Sequence, residues 1–240
     1  MNVYGKSHIG NIRQNNEDNF IIEDKVIGSL LNIIGVADGM GGHNGGEMAS
    51  RECIENFFIS VKNNESQNLL DIIKEGIKYA NEKILKMSLE NTELFEMGTT
   101  FTVATFKDNL AYCGHVGDSR IYSYKDSVLK LESVDHTLLN EFKMNGLSLS
   151  EMEQYGNVKN VITRAVGINA YISVDTFTFE APQDTQIVIC SDGLTTHVSD
   201  DEIKEVLDKD IDIEAKVDML VDKALDAGGV DNVTIILAII

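Results

Sequence analysis

Three apolar runs of the chain end in an aspartate beside glycine or another turn former, and a fourth such aspartate precedes an apolar run. The first three read Ile33-Ile34-Gly35-Val36-Ala37-Asp38-Gly39, Gly114-His115-Val116-Gly117-Asp118-Ser119 and Ile187-Val188-Ile189-Cys190-Ser191-Asp192-Gly193. The fourth is Gly228-Gly229-Val230-Asp231-Asn232. One Asp-Gly after a strand is a turn signal and nothing more. Repeated at the rims of several strands, the carboxylates can converge on one point, which is tolerable only if cations neutralise them or their pKa values rise. Hard oxygen ligands without a His/Cys cluster point to Mg²⁺ or Mn²⁺ rather than zinc or copper. No D-x-[DN]-x-[DN]-G loop is present, which argues against Ca²⁺. The glycine-rich run from Gly39 to Glu47 opens a predicted helix, so its carbonyls can reach a cation and its amides an anion. Upstream, Arg13 stands shortly before Glu17 and Asp18. Its guanidinium is shaped to grip a phosphate bidentately, and a local ion pair with either acid is the alternative.

These residues sit on a chain of 240 residues, 43% hydrophobic and 25% charged, with 39 acidic against 20 basic side chains and a net charge of −19. The length suffices for a sizeable core without disulfides or metal staples. A charge this negative repels phosphate backbones and anionic headgroups, and no cluster of Lys and Arg offsets it, so neither nucleic acid nor membrane is an expected partner. The longest apolar stretches, such as Val233 to Ile240, are too short to span a bilayer. The first residues, MNVYGKSHIGNIRQ, have no apolar core of the signal-peptide kind, so a cytoplasmic location is expected. Cys53, Cys113 and Cys190 are scattered and unpaired in pattern, which suits small buried hydrophobes.

Apolar residues recur at helical spacing from Gly46 to Lys62 and from Asn68 to Leu89, predicting two amphipathic helices. A further pair is predicted from Ser199 to Leu207, capped by Ser199, and from Ile213 to Ala227, stopped by Gly228. Short strands are expected at Asn32 to Ala37, Thr99 to Phe106, Leu110 to Val116, Arg120 to Tyr124, Ser127 to Glu132, Ile172 to Phe179, Thr185 to Ser191 and Asn232 to Ile239. Lys107-Asp108-Asn109 and Lys125-Asp126-Ser127 suit tight hairpins, hence antiparallel sheet. Paired helices interrupting blocks of strands give an α+β class. With Pro182 the only proline, no proline-rich linker divides the chain, and residues 1–240 are expected to form one domain. The polar stretch from His136 to Arg164 is irregular and is expected to act as a flap.

With its motifs in order, the chain resembles the PPM (type 2C) metal-dependent serine/threonine protein phosphatases in their compact bacterial form. The motifs are RQNNEDNF from Arg13, VADGMGGHNGGEMAS from Val36, MGTT from Met97, GHVGDSR from Gly114, DHT from Asp135, TRAVG from Thr163, CSDGL from Cys190 and GGVDNVT from Gly228. The resemblance implies a four-layer α-β-β-α sandwich, two antiparallel sheets flanked by helix pairs, with a metal centre at one edge. It makes Asp38 the carboxylate bridging two Mg²⁺ or Mn²⁺ ions, with the Gly39 carbonyl on one and Asp192 and Asp231 on the other. Asp118, with Asp192, matches the position of a third, weaker ion. Arg13 matches the phosphate-binding arginine, Glu17 and Asp18 match acids that hold metal-bound waters, and Asn232 matches a neighbour of the last ligand. The implied reaction is hydrolysis of phosphoserine and phosphothreonine by a hydroxide shared between the two ions.

Animal members carry a histidine after the glycine of the first Asp-Gly pair, proposed to protonate the leaving alkoxide. Here that residue is Met40, so a metal-bound water is the expected donor and the nearby His43 a lesser candidate. Glu17 stands where many bacterial members carry Gln. Arg120 and Arg164 read first as ion-pair residues, His115 as packed in or beside the sheet, and His136 as either a structural hydrogen bonder or a substrate contact. The implied partners are phosphoproteins and a cognate serine/threonine kinase. Two other readings are a phosphatase of an anti-sigma-factor antagonist in a partner-switching circuit, and an inactive member that only binds phosphoproteins.

Overall fold

The computed structural model describes residues 1–41, 45–146 and 161–240. Among the described residues eleven strands lie in two antiparallel sheets. They are β1 (Asn2–His8), β2 (Asp18–Glu23), β3 (Ile33–Met40), β4 (Gly98–Thr99), β5 (Phe101–Lys107), β6 (Leu110–Val116), β7 (Arg120–Lys125), β8 (Val128–Leu131), β9 (Asp175–Glu180), β10 (Gln186–Cys190) and β11 (Val233–Ile239). One sheet runs β1-β11-β10-β7-β8, and the other runs β2-β3-β5-β6-β9 with β4 added on β3. The α-helices among the described residues are α1 (Gly45–Lys62), α2 (Leu69–Glu90), α3 (Leu138–Met144), α4 (Asp192–Thr195), α5 (Asp200–Leu207) and α6 (Ile213–Asp226).

Three apolar layers explain the order. Ala49, Cys53, Phe57 and Val61 of α1, with Ile73, Ile77 and Ile84 of α2, are buried against the second sheet. Phe57 meets Phe101 of β5 edge to face at 5.2 Å between ring centroids. Val206, Val217, Leu220 and Val221 do the same for the first sheet. Between the sheets lie Ile34, Val36, Ala104, Ile121, Ile187, Ile189 and Ile236. In β11 the period of two is visible directly, with Val233, Ile235 and Leu237 turned to the helices and Ile236 and Ala238 to the other sheet. A strand covered on both faces has no reason to alternate in polarity, and β11 does not.

Local signals set the ends. The Asn68 side chain caps α2 by accepting from Leu70 N, Ser199 and Glu202 form a capping box on α5, and Asp212 caps α6. The hairpins β5–β6 and β7–β8 turn on two residues each, Asp108 and Asn109 with φ of 53° and 61°, and Asp126 and Ser127 with 51° and 59°. Positive φ at both central positions matches the twist of the flanking strands. The strand expected from Ile172 begins at Asp175. The one expected from Asn32 runs on to Met40, so Asp38 lies within the ladder instead of in the loop after it. All three cysteines are buried and free.

Candidate active site

The antiparallel order brings one end of both sheets together, and the aspartates lie there. Asp18 opens β2 directly opposite Asp38 of β3. Asp118 sits in the turn from β6 to β7, Asp192 opens α4 just past β10, and Asp231 lies two residues before β11. Their neighbours in the ladders confirm the shared edge: Cys190 pairs with both Arg120 and Ile235.

Short polar side chains pin the backbone between these acids. Thr100 Oγ1 accepts from Asp38 N at 2.9 Å, Thr100 N and Thr99 Oγ1 both donate to Asp38 O at 2.8 Å, and Thr100 Oγ1 lies 2.8 Å from Ser119 Oγ. Ser191 Oγ donates to Asp18 Oδ2 at 2.8 Å and accepts from Thr234 N at 2.9 Å, joining the two sheets. Asn232 accepts from Glu17 N at 2.8 Å and donates to Ile9 O and Asn15 O, which fixes the loop that carries Arg13. Arg13 Nη2 reaches Asp231 Oδ2 at 2.7 Å, so its partner is not the local acid. The Glu17 carboxylate takes the Gly46 backbone N–H at the start of α1, and its own carbonyl accepts from Gly39 N at 3.2 Å.

Two glycines are required by contact. A Cβ on Gly39 would lie 2.1 Å from Gly46 O, and one on Gly193 would lie 1.9 Å from Asn232 O. Both obstacles are backbone, so neither can swing aside. Gly193→Ala is expected to cost about 1–3 kcal/mol and to push Asp192 away from Asp231. Urea unfolding monitored by circular dichroism checks it, and unchanged stability would show that the two turns are not in this contact.

The carboxylates repel one another in a poorly hydrated place. Burial pushes the Asp18 carboxyl up to about 7, aided by Asp192 and Asp231. Burial followed by the Asp192 charge does the same for Asp118, also to about 7. Asp192 rises to about 6 through burial and then Asp231. Asp38 is raised well above the ordinary carboxylate value, first by burial and then by Asp18, Asp192, Asp118 and Asp231 together. Burial raises Glu17 as well, against the pull of Arg13.

Among the described residues no three acids, histidines or cysteines form a group that could hold a metal ion as placed. Part of the reason is visible: Asp231 spends Oδ2 on Arg13 and Oδ1 on Asn232 N, and Asp18 spends Oδ2 on Ser191. The donor chemistry nonetheless fits a hard cation. Asp18 Oδ1 and Asp118 Oδ1 are buried with no hydrogen-bond partner, a costly state for a carboxylate oxygen unless a cation or proton answers it. Oxygen donors alone suit Mg²⁺ and Mn²⁺.

The structure thus brings Arg13, Glu17, Asp18, Asp38, Gly39, Asp118, Asp192, Asp231 and Asn232 to one edge. The linking hydroxyls of Thr99, Thr100 and Ser191 are not among the residues that the sequence marks for the site; the adjacency of Ser191 to Asp192 is the signal it offers for one of them. Arg120 pairs with Asp135 at 2.7 Å and Arg164 with Asp175 at 2.8 Å, as ion-pair residues. Met40 has no proton to give. His43 and positions 147–160 of the expected flap lie outside the described residues.

Residues 4–227 match the family model described as Protein phosphatase 2C. The serine/threonine phosphatase stp of Listeria monocytogenes serotype 4b is 33% identical over 244 residues, covering 99% of this chain and 95% of the relative. The crystal structure of the serine/threonine phosphatase Stp1 from Staphylococcus aureus superposes with a TM-score of 0.89 at 30% identity, covering 99% of this chain and 94% of that one. The catalytic domain of the phosphatase PstP in complex with 2 manganese ions gives a TM-score of 0.83 at 29% identity, covering 99% and 97%.

Proposed function

The chain belongs to the protein phosphatase 2C family and is a serine/threonine protein phosphatase, and we propose that its catalytic centre is the carboxylate cluster at the sheet edge, loaded with Mg²⁺ or Mn²⁺. The buried, partnerless oxygens of Asp18 and Asp118, in a cluster whose Asp231 pairs with Arg13, carry this reading. Asp38, the Gly39 carbonyl, Asp192 and Asp231 would hold two cations, and Asp118 with Asp192 a third. Bound there, the cations supply a water of lowered pKa and counter the charge of the phosphoryl oxygens. The chain's own residues do the rest. Glu17 and Asp18 accept hydrogen bonds from waters around the cluster, and Asn232 keeps the Arg13 loop in place.

Arg13 has a further part. Its pair with Asp231 is half exposed and therefore weak, so with Asp231 engaged as a ligand the guanidinium would be free to hold a phosphoryl group. Residues 1–240 act as one catalytic domain. The substrates are cytoplasmic phosphoproteins, modified by a serine/threonine kinase that this enzyme opposes.

The test is phosphate release from p-nitrophenyl phosphate and phosphothreonine peptides with Mn²⁺ and after EDTA treatment. Release only with the cation is expected, and release that survives EDTA overturns the assignment. For Arg13→Ala, losing a charge-assisted hydrogen bond worth about 1.5–3 kcal/mol raises KM about 10- to 100-fold with a smaller change in kcat. An unchanged KM would remove Arg13 from the phosphate site.

A further inference from the structure

Asp135 and His136 stand outside the carboxylate cluster, yet they hold the segment that presents Asp118 on both sides of it. His136 N donates to Gly117 O at 2.8 Å, and Gly117 N donates back to His136 Nδ1 at 3.0 Å. Two residues past Asp118, Arg120 Nε lies 3.0 Å from both oxygens of Asp135, and Nη2 donates to Oδ2 at 2.7 Å. Between these grips lies Asp118 with its orphaned Oδ1. Gly117 has a φ of +111°, and a Cβ there would lie 2.5 Å from Thr100 Cγ2. A backbone in that region does not hold itself, so the turn depends on what grips it.

The hydrogen-bond pattern also assigns the proton on the ring. With Nδ1 accepting from Gly117 N, a neutral imidazole carries its hydrogen on Nε2 and donates it to Asp175 Oδ2 at 3.1 Å. Asp175 Oδ1 in turn accepts from Arg164 Nη1 at 2.8 Å, and His136 O accepts from Thr163 N at 2.8 Å. The ring is 4% exposed, so little water competes for these bonds. His115 packs on it at 4.7 Å, itself held by Thr102 Oγ1 and Val134 O.

We infer that His136 is a positioning residue: by accepting from and donating to Gly117 it fixes where Asp118 stands, and through Asp175 it ties that setting to Arg164. The inference rests on the proposed reading of Asp118 as a ligand of the third, weaker cation. Neighbours of this kind orient carboxylates toward a metal and are worth about 10- to 100-fold in affinity when removed.

Three variants separate the roles. His136→Asn keeps an acceptor near the Nδ1 position, His136→Gln reaches toward Asp175 but leaves Gly117 N without a partner, and His136→Ala keeps neither. Mn²⁺ binding by isothermal titration calorimetry is expected to show the weaker event lowered about 10- to 100-fold in His136→Ala and His136→Gln and largely restored in His136→Asn. KM for p-nitrophenyl phosphate at saturating Mn²⁺ stays within about twofold in all three. Exchange of the Gly117 amide, followed by NMR without any cation, is expected to quicken in the Ala and Gln variants only. Unchanged weak binding in His136→Ala, or Gln performing as well as Asn, overturns the inference. If His136→Ala does not fold, the Asn and Gln pair decides. Should Asp118→Asn leave the weaker event untouched, the reading of Asp118 fails instead, and Gly117 exchange still decides whether His136 grips the turn.

Discussion

Asp38→Asn is expected to lower kcat by at least about 100- to 1,000-fold with the fold intact. The two side chains have the same shape, so nothing in the core between the sheets is disturbed. What is lost is one negative charge at the position that Asp18, Asp118, Asp192 and Asp231 all act upon. That loss has opposite effects on stability and on activity. Without cations, Asp38 is buried directly across the ladder from Asp18, and either keeping its charge beside the other acids or holding the proton that removes it costs stability. Removing it raises the melting temperature of the EDTA-treated protein, by about 2–4 °C for each kcal/mol relieved. A structural role predicts the reverse, a lower melting temperature with activity falling in proportion. Thermal scans without metal beside p-nitrophenyl phosphate turnover with Mn²⁺ therefore tell the two apart. Retention of a tenth of the turnover would end the assignment of Asp38 to the centre.

The legible parts of this protein were those written in short-range pattern. The four long helices, eight of the strands and both two-residue hairpins follow from apolar spacing, caps and turn residues. β1 and β2 escaped because NVYGKSH and DNFIIE are mixed in polarity and partly exposed, and β4 because it spans only Gly98–Thr99. β1 is a strand because of its distant partner β11, and β2 because it lies along β3, the next strand in the chain. The helix α3 lies in the stretch that reads as irregular, and Thr137 caps it. The acids of the site were recognisable from motif order, but their mutual arrangement was not. That Asp18 faces Asp38 in register, that Ser191 reaches Asp18 and that Arg13 pairs with Asp231, 218 positions away, are consequences of sheet order. The hold of His136 on Gly117 belongs to the same kind: one residue's ring nitrogen and backbone amide converge on a turn 19 positions earlier.

Without cations the protein is expected to be more stable at pH 5 than at pH 7.5, the reverse of the usual carboxylate effect. Asp18 and Asp118 are raised to about 7 and Asp192 to about 6, with Asp38 and Glu17 raised as well. In the unfolded chain the same acids release their protons near pH 4. Between about pH 4 and 7 the folded protein therefore binds more protons than the unfolded one, and its stability falls as pH rises through that window. Moving one acid from 3.8 to about 7 is worth about 4 kcal/mol at most. A quarter of that shifts the melting temperature by about 2–4 °C. Asp175 works in the other direction but lower down, because His136 and Arg164 hold its carboxyl below the ordinary value and its contribution is lost only at acid pH. Mn²⁺ competes with the protons for the same oxygens, so it raises the melting temperature at pH 7.5 and much less at pH 5. Differential scanning fluorimetry across pH 4.5 to 8, with EDTA and with Mn²⁺, measures both curves. A metal-free melting temperature that is flat or rises from pH 5 to 7.5 would mean that these carboxylates do not share one poorly hydrated site, and the cation-binding reading of the edge would fall with it.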